Sequence, residues 1–516
     1  MRVSAFVLLL LSLLLNISPL SADTGGSGDN VYEHPKREFR GAWIHIVGNK
    51  SLATMSTQEL KEMFVRTIDS IALAGCNAVI FQVRPAADAF YDSEIEPWTR
   101  YLTGFQGVVP QPYWDPLEFA IEESHKRGME LHAWCNPYRV TLEESDTLAR
   151  SHIYYSHPEI FVKHGKQIYF NPAEPLSRKH TVKVIADIVR RYDIDAIHFD
   201  DYFYPYPIPG VEFDDEASFN KYAKAQGFTR ERKSDWRRHN VTLLIKELND
   251  TIKAIKPWVR FGISPFGIHR NKKDTPDGSG SETNGLSNYE QLYADVPLWV
   301  SKGYIDYNVP QIYWRIGHSK ADYETLIKWW NKNTRRGHLY VGQSISTFSE
   351  PDLKNKKTTQ MARKMELVRE LSNVDGNVWW PGWSISRNSV KIADSLIMKY
   401  QRYPALVPPY RELDSKAPKA VEEIYKDGRY GRCIKWNQSE KEAADPMQEA
   451  LFYVVYCFPE GVKVDIRNPR YIKKITKDTE YNVIEENKEH GAGCKYVVTV
   501  VDRCWNESLP SKVLWY

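Results

Sequence analysis

The sequence predicts an α/β chain in which a (β/α)8 barrel, the TIM-barrel arrangement, is followed by a small all-β sandwich. Three observations predict it. From Arg37 to Tyr403, short apolar runs rich in β-branched and aromatic residues alternate with longer stretches of helical period. Polar and aromatic residues gather at the C-terminal end of nearly every run. Beyond a Pro-rich stretch the pattern changes to short alternating strands.

Eight runs qualify as strands: Phe39 to Ile46, Ala78 to Pro85, Leu131 to Pro137, Ala196 to Tyr202, Arg260 to Phe266, Asp306 to Trp314, His338 to Ser346 and Asn377 to Ser386. Amphipathic stretches such as Gln58 to Leu73, Pro116 to Arg127, Thr181 to Tyr192 and Asp235 to Ile255 lie between them. Gly75, Gly128 and Gly337 stand where a helix ends and a strand begins, a place that needs positive φ. Eight repeats fit a closed barrel with long loops, whereas an open doubly wound sheet would have fewer strands. The decorated strand ends are His45, Arg84, Asn136, Asp200, Asp201, Ser264, Gln311, Tyr313, Trp314, Gln343 and Trp383. Any one of them could simply tie down a loop. The same edge of nearly every strand being decorated points to a site at the barrel mouth.

The chain has 516 residues, 42% of them hydrophobic, enough for a large core and more than one unit. Residues 1–22 combine Met1-Arg2, an apolar run from Val7 to Leu15 and Leu20-Ser21-Ala22, the pattern of a signal peptide cleaved near Ala22. That run is too short to span a bilayer, and no other stretch is long enough. The expected protein is therefore exported, periplasmic or extracellular, without a transmembrane segment, and a monomer. Residues 23–36 are a polar tether, 37–403 the barrel, and 404–418 a linker marked by Pro404, Pro408, Pro409 and Pro418. Residues 419–516 carry the sandwich, with strands at Cys433 to Trp436, Ala450 to Phe458, Tyr471 to Ile475 and Cys494 to Asp502. Cys433, Cys457, Cys494 and Cys504 fall there. Disulfides among them are permitted in an exported compartment, with three possible pairings. Cys76 and Cys135 sit on barrel elements as buried thiols.

The centre of the chain is Ala196-Ile197-His198-Phe199-Asp200-Asp201-Tyr202-Phe203-Tyr204. Strand residues alternate faces, so if Ile197 and Phe199 pack outward against helices, Ala196, His198 and Asp200 point into the barrel. Asp201 then lies where strand becomes loop. Carboxylates beside aromatic rings suit a sugar. The plain alternative is an Asp pair that caps a helix or closes a turn. A net charge of +3 gives no footprint for nucleic acid, and 16 Trp with 31 Tyr fit a glycan cleft or an aromatic core equally. No H-E-x-x-H, C-x-x-C or His pair with ligand spacing appears, so no metal or other cofactor is expected. There is no G-x-S-x-G elbow, and Gly278-Ser279-Gly280 does not follow a strand.

Glycoside hydrolysis usually uses two carboxyl groups about 5 to 9 Å apart, one protonated and one ionised. Asp200 is the best single candidate, and its partner is Asp201, Asp88 or Glu174. Neighbouring aspartates also fit a substrate-assisted route in which one carboxylate orients a 2-acetamido group and the other protonates the leaving oxygen. His45, Arg84, Asn136, Tyr138, Arg139, His198, Gln311 and Tyr313 are candidate substrate binders. Tyr202, Tyr204, Trp314 and Trp383 could stack on sugar faces, as could Trp43, for which a core role is as good an account. The segment from Asn271 to Gly285 could close over the cleft.

Several blocks carry a resemblance. Phe39-Arg40-Gly41-Ala42-Trp43, Phe81-Gln82-Val83-Arg84-Pro85 with Asp88-Ala89-Phe90-Tyr91, Trp98 with Leu102-Thr103-Gly104, and His132-Ala133-Trp134 with Asn136-Pro137-Tyr138-Arg139 are similar, in order, to the bacterial glycosyl-hydrolase-like family 10. So are the Asp-Asp motif, Phe261-Gly262-Ile263-Ser264-Pro265-Phe266-Gly267 and Pro310-Gln311-Ile312-Tyr313-Trp314. The resemblance implies a TIM-barrel glycosidase, and some members are associated with peptidoglycan glycan strands. Trp436, Tyr453-Val454-Val455-Tyr456 and Tyr496 to Val500 followed by Glu507-Ser508 look like a fibronectin type III module. The expected function is an exported glycoside hydrolase acting on a bacterial cell-wall or related glycan. The alternatives are a non-catalytic carbohydrate-binding barrel and a glycosidase for host or dietary glycans.

Overall fold

The computed structural model describes residues 34–427, 433–437, 445–483 and 493–516. The expected signal peptide and most of the tether lie outside the described residues. All eight expected barrel strands form: β1 (Phe39–Ile44), β2 (Ala78–Arg84), β3 (Glu130–Cys135), β4 (Ala196–Phe199), β5 (Arg260–Ile263), β6 (Tyr307–Asn308), β7 (His338–Ser344) and β8 (Val374–Trp380). They close into a parallel barrel in chain order, β1 pairing with both β2 and β8.

The period-two pattern places each face. Ile197 and Phe199 join Val79, Phe81, Leu131, Phe261 and Val341 in the layer between barrel and helices. Ala196 points inward with Phe39, Trp43, Ile80, Trp134, Tyr307 and Tyr340. Each fully buried Ile or Phe of these layers contributes about 1.5–3 kcal/mol. The helices expected between strands are α1 (Thr57–Leu73), α2 (Pro116–His125), α3 (Pro175–Arg191) and α4 (Lys233–Ile255). Helix α1 opens with a capping box between Ser56 and Glu59. Helix α3 starts six residues before Thr181, because Pro175 with its missing N–H suits the first helical position. Gly75, Gly128 and Gly337 have φ of +78°, +69° and +63°.

Most strands stop short of the apolar runs that announce them. The largest difference is at β8, expected over Asn377 to Ser386. It starts at Val374, ends at Trp380 and turns at Pro381 into a short helix, Trp383–Ser386. Proline has no N–H to continue the ladder.

Residues 404–418 join barrel to module, and Ala405, Leu406, Val407 and Tyr410 within them are buried. The strap pairs with the chain entering β1, Glu38 N donating to Leu406 O (3.0 Å) and Leu406 N to Lys36 O (2.8 Å). The C-terminal module contains two antiparallel sheets. One is ordered β9 (Ile424–Lys426), β10 (Cys433–Trp436), β13 (Glu480–Asn482); the other β12 (Ile472–Thr476), β11 (Ala450–Pro459), β14 (Cys494–Asp502), β15 (Leu514–Trp515). Phe452 and Trp505 of the module share a packed cluster with the barrel's inner residues, so the module stands against the N-terminal end of the barrel. All six cysteines are free thiols. No helix among the described residues is long and apolar enough to cross a membrane.

Candidate active site

The C-terminal end of β4 delivers Asp200 and Asp201 to the floor of a cavity of about 280 Å³ at the barrel mouth. Its lining is Trp43, Val47, Trp134, Arg139, Asp200, Asp201, Tyr202, Tyr206, Ser264, Gln311, Tyr313 and Trp380. Both carboxyl groups are nearly sealed from bulk water, with relative exposures of 4% and 3%, yet both face the cavity.

Asp200 is held by fixed donors. Asn136 Nδ2 reaches its two oxygens at 3.0 and 3.1 Å, and Trp134 Nε1 donates to Oδ2 at 3.2 Å. Burial raises the pKa of its carboxyl group above the ordinary value, opposed by the Arg139 charge and these hydrogen bonds. Asp201 accepts from Tyr206 Oη and from Gln311 Nε2 (3.1 Å). Burial and the neighbouring Asp200 charge push it up to about 6. Environment thus separates two adjacent aspartates: the Asp200 charge helps to hold the proton on Asp201, which keeps it up to about pH 6.

Of the candidates read from sequence, Asp200, Asp201, Arg139, Tyr202, Gln311 and Tyr313 line the cavity, as does Trp43. Arg139 lies over the Tyr202 ring at 4.9 Å and donates to Pro85 O (3.1 and 2.9 Å). The others stand back from it. Asp88, expected as a catalytic partner, is turned into its own loop, accepting from Ala86 N (3.2 Å) and Gln106 Nε2 (3.1 Å). Burial pushes it to about 6 as well, without bringing it to the cavity. Glu174 accepts from Ser218 Oγ (2.5 Å) and Tyr222 Oη (3.1 Å). Among the described residues, Asp200 and Asp201 are the carboxyl groups of this lining.

The remaining candidates are supports. Asn136 lies behind Asp200. Arg84 is fully buried and forks onto Glu96 (2.6 and 2.7 Å), while its Nη1 donates to Asn136 O (2.5 Å). His180 Nε2 closes the group on Glu96 at 2.9 Å. The fork keeps Asn136 in place, so Arg84 acts on Asp200 at second hand. Arg84→Met is expected to cost about 3–5 kcal/mol, measured by denaturant unfolding, because Glu96 is left charged and buried without its partner. An unchanged unfolding midpoint would show that the fork does not stabilise the barrel.

His198 lies beneath the floor, between Trp43 and Tyr307. Tyr138 is buried in the outer layer, and Tyr204 is enclosed by Phe213 and Tyr293 with Arg237 over its face. Trp314 packs edge-on against Phe266 at 5.4 Å. Trp383, on the helix after β8, turns inward and donates to His45 O (3.1 Å). The His45 ring sits 4.8 Å from that of Trp380, behind the wall.

Trp134, Tyr206, Val47 and Trp380 line the cavity but were not among the expected contacts. Trp134 was findable from period two alone, because it shares a strand face with His132 and Asn136. Among the described residues no group of three or more His, Cys, Asp or Glu is placed to hold a metal ion.

The model of the family "Glycosyl hydrolase-like 10" matches residues 38–360. The chain belongs to this family. It is 40% identical over 494 residues to glycosyl hydrolase YngK of Bacillus subtilis, covering 92% of this chain and 93% of that one. It is 33% identical over 389 residues to glycosyl hydrolase DigH of Escherichia coli K12, covering 70% of this chain and 87% of that one. Among solved structures, the PgaB (BpsB) glycoside hydrolase domain of Bordetella bronchiseptica overlays with a TM-score of 0.47 at 9% identity, covering 70% of this chain and 99% of that one. This member of the glycosyl hydrolase-like 10 family is a glycoside hydrolase.

Proposed function

We propose that the protein is an exported glycosidase that cleaves an N-acetylated glycan of the bacterial cell wall by a substrate-assisted route, Asp201 acting as acid and Asp200 orienting the 2-acetamido group. The observation that carries this reading is that the cavity's carboxyl groups are two sequence neighbours in unlike environments. A side chain anchored from behind by Asn136 and Trp134 is suited to hold a substrate amide N–H. A carboxyl group that titrates near 6 is suited to give a proton and take it back.

In the first step the acetamido oxygen attacks the anomeric carbon, the glycosidic bond breaks, and the leaving oxygen takes the Asp201 proton. The intermediate is an oxazolinium ion whose N–H faces ionised Asp200. In the second step Asp201, now a base, takes a proton from water, which adds to the anomeric carbon and opens the ring with net retention. Trp43, Trp134, Tyr202 and Trp380 supply apolar ring faces around the sugar.

Export rests on the N-terminal sequence. The module is read as fibronectin type III-like, supported by its three-stranded and four-stranded sheets and by the pairing of its first, second and fifth strands. The test uses peptide-free peptidoglycan glycan strands and the same strands after chemical removal of the N-acetyl groups. New reducing ends are expected from the first and at least ~100-fold fewer from the second, since loss of the internal nucleophile removes a well-oriented attacking group. Equal rates on the two would reject substrate assistance.

A further inference from the structure

The C-terminal module reaches the cavity wall through a hydrogen-bonded chain inside the barrel. Trp505 Nε1 donates to Glu130 Oε1 at the start of β3, where Arg260 also pairs with that carboxylate. Glu130 Oε2 meets His132 Nε2 at 2.9 Å, His132 Nδ1 meets Tyr307 Oη at 2.8 Å, and Tyr307 Oη meets His198 Nδ1 at 3.1 Å. His198 Nε2 then accepts from Trp43 Nε1 at 3.2 Å, and Trp43 lines the cavity. Ser264 Oγ lies 2.9 Å from the same nitrogen and within 3.2 Å of Phe199 O, to which it can donate. From Trp505 to Trp43 every member is at most 2% exposed, and Ser264 is 3% exposed, so no bulk water can replace a lost partner.

The contacts assign the protons. An indole N–H only donates, so His198 Nε2 is an acceptor. Burial holds His198 far below its ordinary range and therefore neutral, so with Nε2 accepting from Trp43 its proton is on Nδ1 and points at Tyr307. The Tyr307 hydroxyl then donates to His132 Nδ1, and His132 Nε2–H donates to Glu130. The chain runs one way, from Trp43 to an anion fixed by Arg260 and Trp505.

Two local features show that room and strain are committed to it. A Cβ on Gly262 would lie 1.9 Å from the Tyr307 ring, so β5 needs glycine there for Tyr307 to reach between the two histidines. Trp505 holds φ of +63°, a left-handed backbone rare for a bulky residue, at the point where its indole meets Glu130.

We propose that Trp505 of the module, with Glu130, His132, Tyr307 and His198, is a set of positioning residues that orients Trp43 against the bound sugar. The module is then part of the glycosidase site rather than a spacer. The functional half rests on the reading of this cavity as the sugar site; the proton assignment does not.

The test is long-range proton–nitrogen NMR on protein labelled in its histidine rings, with His198→Gln and His132→Gln used to assign signals, beside steady-state kinetics. The native protein is expected to show His198 protonated on Nδ1 and His132 on Nε2. Tyr307→Phe keeps the ring stack and removes the hydroxyl. It is expected to send His198 into mixed tautomers and raise KM at least fivefold with kcat within twofold. Trp505→Phe is expected to move both histidine signals in the same direction more weakly, and it serves if Tyr307→Phe does not fold. A native His198 protonated on Nε2 would overturn the assignment. Histidine signals unmoved by both variants, with only the melting temperature lowered, would reduce the chain to a structural role. Absence of glycan cleavage by native protein would sink the cavity reading while leaving the tautomers to be scored.

Discussion

Asp201→Asn is expected to lower kcat on glycan strands by about 10²–10⁴-fold, the usual contribution of a positioned general acid. The loss should depend on the leaving group. A sugar alkoxide cannot depart without a proton, whereas an activated aryloxide can, so an aryl N-acetyl-glycoside is expected to keep a rate within about tenfold of native in its bond-breaking step. Burst kinetics on that substrate should show the second step slowed instead, because the same carboxylate activates water. The substitution is nearly isosteric: the Asn oxygen can accept from Gln311 Nε2 while its NH2 donates to Tyr206 Oη, a hydroxyl that can turn to accept. Folding is therefore expected to be native by circular dichroism. Equal losses on both leaving groups would remove Asp201 from the acid role.

The barrel was legible because its signals are local and repeated: eight apolar runs, helices between them, and glycines at helix ends. The face assignment of β4 followed from period two, and the structure places Ile197 and Phe199 outward, Ala196 and His198 inward. What the sequence concealed was depth along the inward face. His198 and Asp200 share that face, but one lies beneath the floor and the other at it, and alternation cannot tell them apart. Arg84 was indistinguishable from a carboxylate-binding arginine because Glu96, its partner, is twelve residues away on an irregular loop. At β8 the stop signal was present and unused. Pro381 ends the ladder at Trp380, so Trp380 became the wall and Trp383 was carried round into the core. Tyr206 lies beyond Pro205 on a returning loop whose path no period predicts.

Asp200→Asn is expected to remove at least ~100-fold of the rate on both kinds of leaving group, because its role is exercised on the intermediate rather than on the departing oxygen. It should also move the pH profile in a stated direction. In the native enzyme kcat/KM is expected to fall as pH rises through about 6, since the protonated form of Asp201 is the active one. Part of that elevated value comes from the Asp200 charge beside it. Asn at position 200 carries no charge, so Asp201 ionises more easily and the alkaline limb of the residual activity shifts to lower pH. Stability should follow the same sign. A carboxyl group held above its unfolded value favours the folded state at low pH, and that advantage is lost as pH rises through the folded value. Asp200→Asn is therefore expected to flatten the decline of the unfolding midpoint across roughly pH 4 to 6, the window between the unfolded and folded values of Asp201. With the new amide oxygen at the Oδ2 position, Asn136 Nδ2 and Trp134 Nε1 keep their acceptor and only the long contact from Tyr202 N to Oδ1 (3.4 Å) is lost, so the change reports chiefly charge. A rate loss with no movement of the alkaline limb would mean that Asp200 is not the ionised neighbour of Asp201, and the division of labour between the two aspartates would fail with it.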